Sequence, residues 1–436
     1  MTRLRQSAGR LAAALAAMLA LAAALTGSAP AGALPAPCEA WTGVPPASPG
    51  TTANHLLGTA VLSPCDAWAV GQSVGGGVTS TLTEHWDGAS WKVVPSPSPG
   101  NGASVRLESV RSDSTGDVWA VGSYFDGTTT LTLILRWTGT AWIQAPSPNP
   151  GSANFLQSVK PVSANNAWAV GTYSSGGAFK TLIVHWNGVN WAQITSPNPG
   201  PTNELDSVAA TSATDAWAVG ISSTPTADQT LILHWDGATW AQVPSPSPNS
   251  SDDLFGVAAT SATNAWAVGS SLASGVDQTL ILHWDGASWT QVLSPSPNSS
   301  DDLFGVAATS AANAWAVGNT VQGGVDQTLI LRWDGTAWAQ VPSPSPGGPG
   351  MGSDLSGVVA TSAGNAWAVG SYRVPVNAKL AMALHWDGSN WAQVPTPNPS
   401  GALDELSAVG ASSASNVWAV GSYESASQLA FAIHCC

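Results

Sequence analysis

Four tyrosines are the side chains whose type and spacing best suit ligand binding. Each lies five residues after the Trp of a recurring Trp-Ala-Val-Gly motif, where four other copies of the motif have Ser or Thr. They are Tyr124, Tyr173, Tyr372 and Tyr423. Beside them stand charged residues of both signs: Asp126, Lys180, Arg373 and Glu424. Because Tyr combines a rigid apolar face with a hydroxyl, these residues are candidates for binding a glycan or a protein. The alternative is that the tyrosines cap the packing between structural elements.

Paired aspartates form a second candidate site. Asp252 with Asp253, and Asp301 with Asp302, stand in two copies of Asn-Ser-Ser-Asp-Asp-Leu-Phe that are 49 residues apart. Carboxylate oxygens are the ligands that Ca²⁺ prefers, so these pairs predict a Ca²⁺ site. The alternative is a solvated acidic surface. We predict no other cofactor.

The histidines are better explained by structure than by metal binding. Six of the seven occupy one position of a repeat, and Arg136 and Arg332 occupy that position in the other two copies. Arginine does not ligate metals, but both residue types donate hydrogen bonds. We therefore expect a structural donor that bonds to a carbonyl or to an Asp or Asn side chain. Since almost every His and Trp belongs to the repeat, no residue is assigned a catalytic role.

The repeat predicts the elements that position these residues. "WAVG" occurs eight times at spacings of 49 to 52 residues, and a signature of the type "HWDGxxW" follows seven of the copies. Each repeat contains four predicted strands, such as "LFGVAAT", "NAWAVGS", "TLILHW" and "SWTQV", with a hairpin turn at Asp-Gly. Four-stranded units of this length predict an all-β, eight-bladed β-propeller. The alternation of large and small residues in "AWAVG" places the tryptophans in the core between blades.

The two ends of the chain are predicted to share one blade. Trp41 aligns with Trp91, the first residue of a fourth strand, whereas residues 403–434 supply only the first three strands of a repeat. The N-terminal strand would therefore complete the C-terminal blade and close the ring. A disulfide from Cys38 to Cys435 or Cys436 would join the two ends, and Cys65 would pair with the remaining cysteine. The alternative pairing joins Cys435 to Cys436.

Composition indicates an exported protein. Residues 1–33 combine three arginines, an apolar run of 15 residues and an Ala-Gly-Ala cleavage site, so they predict a signal peptide. Residues 34–436 then form one propeller domain with a net charge of −17. This acidity argues against nucleic acid as a partner, and no segment predicts membrane insertion. An even number of cysteines fits an oxidising compartment. We predict a monomer that is secreted, extracellular or in the cell envelope.

The motifs resemble those of known propellers. "AVGSSLASGVDQTLILHWDG" looks like the second half of a WD repeat, and "HWDGASW" is similar to the repeat of tryptophan-rich propeller lectins. The pair "WAVG…HWDGxxW" resembles secreted bacterial propeller proteins described as kelch-like or galactose-oxidase-like. The resemblance spans residues 41–434 and implies the propeller fold. The Tyr, Cys and His copper ligands of galactose oxidase have no counterpart cluster here, so no catalytic residue is carried over.

These observations predict a non-catalytic, exported propeller that binds an extracellular ligand. A carbohydrate or a surface protein is the expected partner. One alternative is a propeller enzyme, such as a polysaccharide lyase, a glycosidase or an oxidoreductase. The other is a structural envelope protein without a small-molecule site.

Overall fold

All regular structure in the described residues is β-strand. The computed structural model describes residues 41–348, 350–375 and 378–435, and these contain no helix that could cross a membrane. The strands of the N-terminal half are β1 (Thr42–Gly43), β2 (Ala53–Ser63), β3 (Asp66–Gly75), β4 (Val78–Trp86), β5 (Trp91–Val93), β6 (Val105–Ser112), β7 (Val118–Phe125), β8 (Thr130–Trp137), β9 (Trp142–Gln144), β10 (Ala153–Ser163), β11 (Asn166–Ser175), β12 (Ala178–Trp186), β13 (Trp191–Gln193), β14 (Thr202–Ser212), β15 (Asp215–Ser223), β16 (Asp228–Trp235) and β17 (Trp240–Gln242). The strands of the C-terminal half are β18 (Asp252–Ser261), β19 (Asn264–Ala273), β20 (Val276–Trp284), β21 (Trp289–Gln291), β22 (Asp301–Ser310), β23 (Asn313–Gln322), β24 (Val325–Trp333), β25 (Trp338–Gln340), β26 (Ser353–Ser362), β27 (Asn365–Val374), β28 (Ala378–Trp386), β29 (Trp391–Val394), β30 (Asp404–Ser413), β31 (Asn416–Glu424) and β32 (Gln428–Cys435).

The strands form eight antiparallel blades of four. From β2 onward, each consecutive group of four pairs in chain order, and we call its members the inner, second, third and outer strands. A single parallel bridge between Ala153 and Thr130 also links blades 2 and 3. In blade 8 the order is β30, β31, β32 and β1, with Thr42 opposite His434 and Gly43 opposite Ile433. The N-terminal strand thus completes the C-terminal blade, which confirms the predicted arrangement.

Tryptophans form the core between blades, as the alternating pattern predicts. The Trp of each "WAVG" motif is almost completely buried and faces the next blade. Trp68 of blade 1, for example, packs against Ala120 of blade 2, and its ring centroid lies 4.6 Å from Trp137 and 5.0 Å from Trp142. Eight such clusters occur, one at each junction, including the junction of blade 8 with blade 1. The repeat therefore closes on itself.

The junction between blades 8 and 1 contains a buried carboxyl group. Glu84, on the third strand of blade 1, is completely buried, and its Oε2 accepts a hydrogen bond from the backbone N–H of Ala47 (3.1 Å). The corresponding residues of the other blades are all aliphatic: Leu135, Val184, Leu233, Leu282, Leu331, Leu384 and Ile433. Ala47 is equally exceptional, because the other seven linkers have proline there, which lacks an N–H: Pro97, Pro148, Pro197, Pro246, Pro295, Pro344 and Pro397. Burial raises the pKa of Glu84 to about 8.

Five of the six repeated histidines act as structural hydrogen-bond partners, as predicted, whereas His185 Nε2 is buried without a partner. His85 Nε2 lies 2.9 Å from Asp66 Oδ1, and His234 Nε2 lies 2.8 Å from Asp215 Oδ1. The same contact recurs in blades 5, 7 and 8 with an asparagine as the partner. In blade 2, Arg136 takes the place of the histidine. These side chains tie the third strand to the start of the second.

One of the cysteine predictions is wrong. Cys65 is an exposed free thiol, so it does not take the second cysteine as a partner. Its side chain packs at the turn of its own blade, where a Cβ on Gly88 would be 3.0 Å from the Cys65 Sγ. Cys38 and Cys436 lie outside the described residues, as does the predicted signal peptide. Cys435 is completely buried in the core of blade 8. Pairing among these three cysteines stays a prediction.

Candidate functional site

The inner strands of all eight blades surround a central channel that contains a cavity of about 470 Å³. Each inner strand places one leucine in the core, and in every blade the pairing with the second strand shifts directly after that leucine: Leu56, Leu107, Leu156, Leu205, Leu254, Leu303, Leu355 and Leu406. A β-bulge of this kind changes the direction of the side chain at the bulge. The bulge residues line the channel in every blade.

The glycine of "WAVG" makes room for this bulge. A Cβ on Gly269 would lie only 1.8 Å from the carbonyl oxygen of Asp253 on the inner strand, and the equivalent glycines of the other blades are as tightly covered. No side chain fits at that distance. The repeated glycine therefore lets the inner strand lie close against the second strand.

Three positions on the inner strands define the chemistry of the channel. The residue before the buried leucine lies one position outside the residues that line the cavity, and this position forms the entrance set: His55, Arg106, Phe155, Glu204, Asp253, Asp302, Asp354 and Glu405. The residue after it forms the bulge set: Leu57, Glu108, Gln157, Asp206, Phe255, Phe304, Ser356 and Ser407. The fourth residue after it forms the lower set: Ala60, Arg111, Lys160, Ala209, Ala258, Ala307, Val359 and Gly410. These sets differ from blade to blade, whereas the core positions repeat.

The entrance set is acidic on five consecutive blades, from blade 4 to blade 8. Burial, followed by the negative charges of Asp228 and other nearby aspartates, raises the pKa of Asp253 to about 6. Burial also raises the pKa of Asp302 and Asp354. Lys379 Nζ lies 3.0 Å from Glu405 Oε2 and neutralises part of this charge. The entrance is thus a crescent of carboxylates that attracts positive charge.

Two phenylalanines of the bulge set follow Asp253 and Asp302 by two residues on the same strands. The rings of Phe255 and Phe304 have centroids 5.9 Å apart, and Phe304 is 41% exposed. Next to them, on blade 4, burial and then the charges of Glu204 and Asp253 raise the pKa of Asp206 to about 7. A partly exposed aromatic pair beside carboxylates suits a ligand with both apolar and cationic groups.

Blades 2 and 3 carry the opposite charge. Arg106 Nε lies 2.8 Å from Glu108 Oε1, which neutralises that pair. Arg111 and Lys160 lie further along the same strands and line the cavity. The channel therefore has a cationic side on blades 2 and 3 and an acidic side on blades 4 to 8.

The four predicted tyrosines lie at four different junctions between blades. Each is partly buried and packs against an inter-blade core cluster, at the junctions of blades 1–2, 2–3, 6–7 and 7–8 for Tyr124, Tyr173, Tyr372 and Tyr423 respectively. Tyr423, for example, makes an edge contact with Phe431 at 5.9 Å between ring centroids. This placement favours the packing role over a shared binding surface.

The charged residues predicted beside the tyrosines lie on or near the hairpins between second and third strands. Asp126 is exposed and accepts hydrogen bonds from the backbone N–H groups of Thr128 and Thr129, as a turn former does. Arg373 and Glu424 are exposed, and Lys180 Nζ lies 3.5 Å from a backbone carbonyl. Glycan binding by this group stays a prediction.

The structure separates the paired aspartates that were predicted to bind Ca²⁺. Adjacent residues of a strand point to opposite faces, so Asp252 is buried and accepts a hydrogen bond from the N–H of Asn249 (3.0 Å), whereas Asp253 belongs to the entrance set. Likewise, Asp301 is buried and accepts a hydrogen bond from the N–H of Asn298, whereas Asp302 belongs to the entrance set. Within the described ranges, no three His, Cys, Asp or Glu side chains group closely enough to hold a metal ion. The Ca²⁺ prediction gains no support from this arrangement.

A second cavity, of about 650 Å³, lies between blades 1 and 2 at the opposite end of the strands. Its polar lining includes Asp66 with His85 and Asp117 with Arg136, which are the structural pairs that recur in other blades. The channel differs from this cavity because its lining breaks the repeat.

Comparison with solved structures identifies the fold. Sqt1 from Chaetomium thermophilum is 12% identical to this chain, with a TM-score of 0.56 over 90% of this chain and 99% of that one. The same protein bound to the N-terminus of the ribosomal protein L10 has a TM-score of 0.54, at 12% identity and the same coverage. This chain is a β-propeller. YCF48 from Cyanidioschyzon merolae is more distant, with 15% identity and a TM-score of 0.43 over 91% of this chain and 98% of that one. No protein-family model matches the sequence, and no curated protein is similar to it.

Apart from Asp253 and Asp302, the channel residues were not predicted, although the sequence contained a signal for them. The first strand of each repeat varies at the positions directly before and after its leucine, where the charged and aromatic residues stand. Comparing the repeats position by position would have revealed Asp206, Phe255, Phe304, Arg111 and Lys160 as exceptions.

Proposed function

We propose that this chain is a non-catalytic binding propeller whose channel entrance holds a segment of a protein partner with basic residues. The acidic crescent on five consecutive blades is the observation that carries the proposal. Phe255 and Phe304 supply an apolar contact beside the crescent, and charge complementarity favours cationic side chains in the segment. Sqt1 bound to the N-terminus of L10 supports the view that a propeller of this kind can hold a terminal segment.

Fluorescence anisotropy with a labelled peptide of alternating Lys and Phe tests this proposal. We expect saturable binding that weakens as salt rises from about 50 to 300 mM, because salt screens exposed charges. A peptide of alternating Glu and Phe should not bind. The double variant Asp253→Asn with Asp302→Asn should weaken binding at least tenfold. A matched control, Asp126→Asn with Glu424→Gln, removes the same charge from exposed sites outside the channel. Equal weakening in both variants would contradict an entrance site.

Aromatic contacts can be tested separately from charge. Phe255→Ser with Phe304→Ser introduces the residue that blades 7 and 8 already have at this position, so the fold should tolerate the change. We expect weaker binding with an unchanged dependence on salt. A change in the salt dependence alone would argue against an apolar contact.

We further propose that the protein is exported and acts outside the cell, with the predicted signal peptide removed after residue 33. N-terminal sequencing of the secreted protein tests the cleavage site. Mapping of disulfide-linked peptides tests whether Cys38 pairs with Cys435 or Cys436. Such a disulfide would link the two ends of the chain.

A carbohydrate ligand, for which the four tyrosines are the candidate site, is an alternative to the protein segment. A glycan and cell-wall polysaccharide array, read with the protein and with a variant in which all four tyrosines are serine, would decide it. Binding that is lost in the serine variant would support a glycan site. Binding that persists would place the glycan elsewhere on the protein.

A further inference from the structure

Two adjacent blades carry long cations inside the channel where the other blades have small side chains. Arg111 on blade 2 and Lys160 on blade 3 belong to the lower set, whose six other members are Ala, Val or Gly. Both line the cavity of about 470 Å³. In a chain with 26 acidic and only 12 basic residues, two neighbouring cations that line one cavity need an explanation.

In the part of the chain that the structure describes, no carboxylate forms an ion pair with these cations. Arg111 Nη1 donates hydrogen bonds to the backbone carbonyls of Thr59 (3.2 Å) and Val110 (2.9 Å), which hold the guanidinium in place. Among the described residues, neither Arg111 nor Lys160 forms an ion pair, and Lys160 has no hydrogen-bond partner for its ammonium group. Donors of both side chains are therefore available to a ligand in the channel.

The positive charges of Arg111 and Lys160 also repel each other. Burial lowers the pKa of Arg111, and it lowers the pKa of Lys160, which the positive charge of Arg111 lowers further. Placing two like charges together in a partly desolvated channel without a counter-charge is unfavourable. An anion between them would remove both costs.

Further donors lie on the same side of the channel. Ser109, Ser158 and Ser207 line the cavity on blades 2, 3 and 4, where the other five blades have glycine or alanine. Two carboxyl groups also face this region: Glu108 is paired with Arg106, and Asp206 has its pKa raised to about 7. The donor set of guanidinium, ammonium and hydroxyl groups is the one that proteins use for oxyanions.

We propose that Arg111 and Lys160, with the serine hydroxyls beside them, form a site in the channel for an oxyanion, either free phosphate or a carboxylate of a peptide. The site is independent of the acidic entrance and of the basic segment proposed there. A failure of the peptide experiment above leaves it intact, because small anions test it directly.

Isothermal titration calorimetry with inorganic phosphate, in a chloride buffer at pH 7, is the first test. We expect saturable one-to-one binding with a Kd of about 1 mM or tighter, which corresponds to about −4 kcal/mol. A second titration uses N-acetylated tri-alanine with a free C-terminal carboxylate, and a third uses its C-terminal amide. Binding of phosphate alone assigns a free oxyanion to the site, and binding of the carboxylate peptide but not the amide assigns a peptide.

The variant Arg111→Ala with Lys160→Ala should weaken this binding at least tenfold. Alanine occupies the same position in four other blades, so the variant should fold. Its thermal unfolding midpoint in chloride should equal or exceed that of the unaltered protein, because a repulsion is removed. The control Lys92→Ala with Lys180→Ala removes the same charge outside the channel and should bind normally. Absence of saturable binding for both anions, or equal binding by the channel variant, overturns the proposal.

Discussion

At the scale of single residues, the candidate site depends on positions where the repeat is broken. Core positions of the inner strands hold leucine in every blade, whereas their channel positions hold carboxylates, phenylalanines or cations according to the blade. Packing between blades constrains the first kind of position, since each Leu fills a core of repeated shape. The channel positions are less constrained by this packing and differ from blade to blade. Individual side chains can therefore create a polarised channel without disturbing the ring.

Binding at the entrance should depend on pH. Asp253 has a pKa raised to about 6 and Asp206 a pKa raised to about 7. Below these values each carboxyl is neutral, and above them it is charged. Affinity for the Lys and Phe peptide should therefore increase between pH 5.5 and 8, as anisotropy titrations would show. In the Asp253→Asn with Asp302→Asn variant the increase should be smaller. An affinity that falls over this range in the unaltered protein would contradict the assignment.

At the scale of strands, one glycine per blade permits the bulge that shapes the channel. The carbonyl of the entrance residue occupies the space that a Cβ on this glycine would need. Because the bulge turns the next side chain into the channel, the "WAVG" motif has two structural roles. Its Trp and Val build the junction with the next blade, and its Gly admits the inner strand.

Gly269→Ala should destabilise the protein by more than about 3 kcal/mol, since the new Cβ would lie 1.8 Å from a backbone oxygen. Gly256→Ala is the matched control, because a Cβ there meets nothing closer than 3.4 Å and three other blades have serine at this position. The control should change the free energy of unfolding by less than about 1 kcal/mol. Urea unfolding of both variants measures the difference. Similar losses in the two variants would contradict the close approach.

Stability should fall with rising pH because of Glu84 at the junction of blades 8 and 1. Its pKa is raised from 4.5 to about 8 in the folded protein, so the folded state retains a proton that the unfolded state has lost over this range. The contribution is complete below about pH 4.5 and lost as pH rises to about 8, with a total on the order of 3 to 5 kcal/mol. Denaturant unfolding from pH 5 to 9 measures this decline.

Two variants isolate the Glu84 contribution from that of the channel acids. Glu84→Gln keeps an oxygen acceptor for Ala47 but does not titrate. The free energy of unfolding of this variant should therefore decline less steeply as pH rises. Glu84→Leu with Ala47→Pro introduces the residue pair of the other junctions and should also raise stability at pH 8. If both variants retain the full pH dependence, other groups cause it.

At the scale of the whole molecule, the described ends of the chain meet in the split blade, where packing and hydrogen bonds help to close the ring. Trp41 has its ring centroid 5.0 Å from Trp367, and β1 forms only two residue pairs with β32. Further contacts come from the linker, where Ser48 Oγ accepts a hydrogen bond from the N–H of Ala430 (3.0 Å). In other blades a covalent hairpin connects the third and outer strands. Once any disulfide between the ends is reduced, the split blade is the place where the ring should open first.

Trp41→Ala and Trp240→Ala remove equivalent side chains from the split blade and from an intact blade, each about 95% buried. Both should lower the free energy of unfolding by about 3 to 5 kcal/mol. Only Trp41→Ala should also expose the N–H groups of Val44 and Ala430 to hydrogen exchange, because β1 then separates from β32. The experiment should include dithiothreitol to remove any disulfide between the ends. Equal protection of these groups in both variants would argue against local opening.

The periodic part of the structure was predictable from the sequence, and the channel was not. Repeated "WAVG" and "HWDGxxW" motifs were sufficient for the blade count, the Trp core and the His to Asp or Asn contacts, because neighbours within a hairpin are close in the chain. The tyrosines and the paired aspartates were chosen as departures from the repeat, but their burial depends on the neighbouring blade. Asp252 and Asp253 show the difference, since one is a buried hydrogen-bond acceptor and the other lies at the channel entrance.

The sequence by itself determined an eight-bladed ring closed by its own N-terminal strand, because period-two alternation and hairpin turns are local properties that repeat. Only the tertiary structure decided which side chains face one another across the channel. Glu204 and Glu405 are about 200 residues apart in the chain, yet ring closure places them on one acidic crescent, opposite the cations of blades 2 and 3. That juxtaposition arises from the curvature of the whole ring, to which every blade contributes.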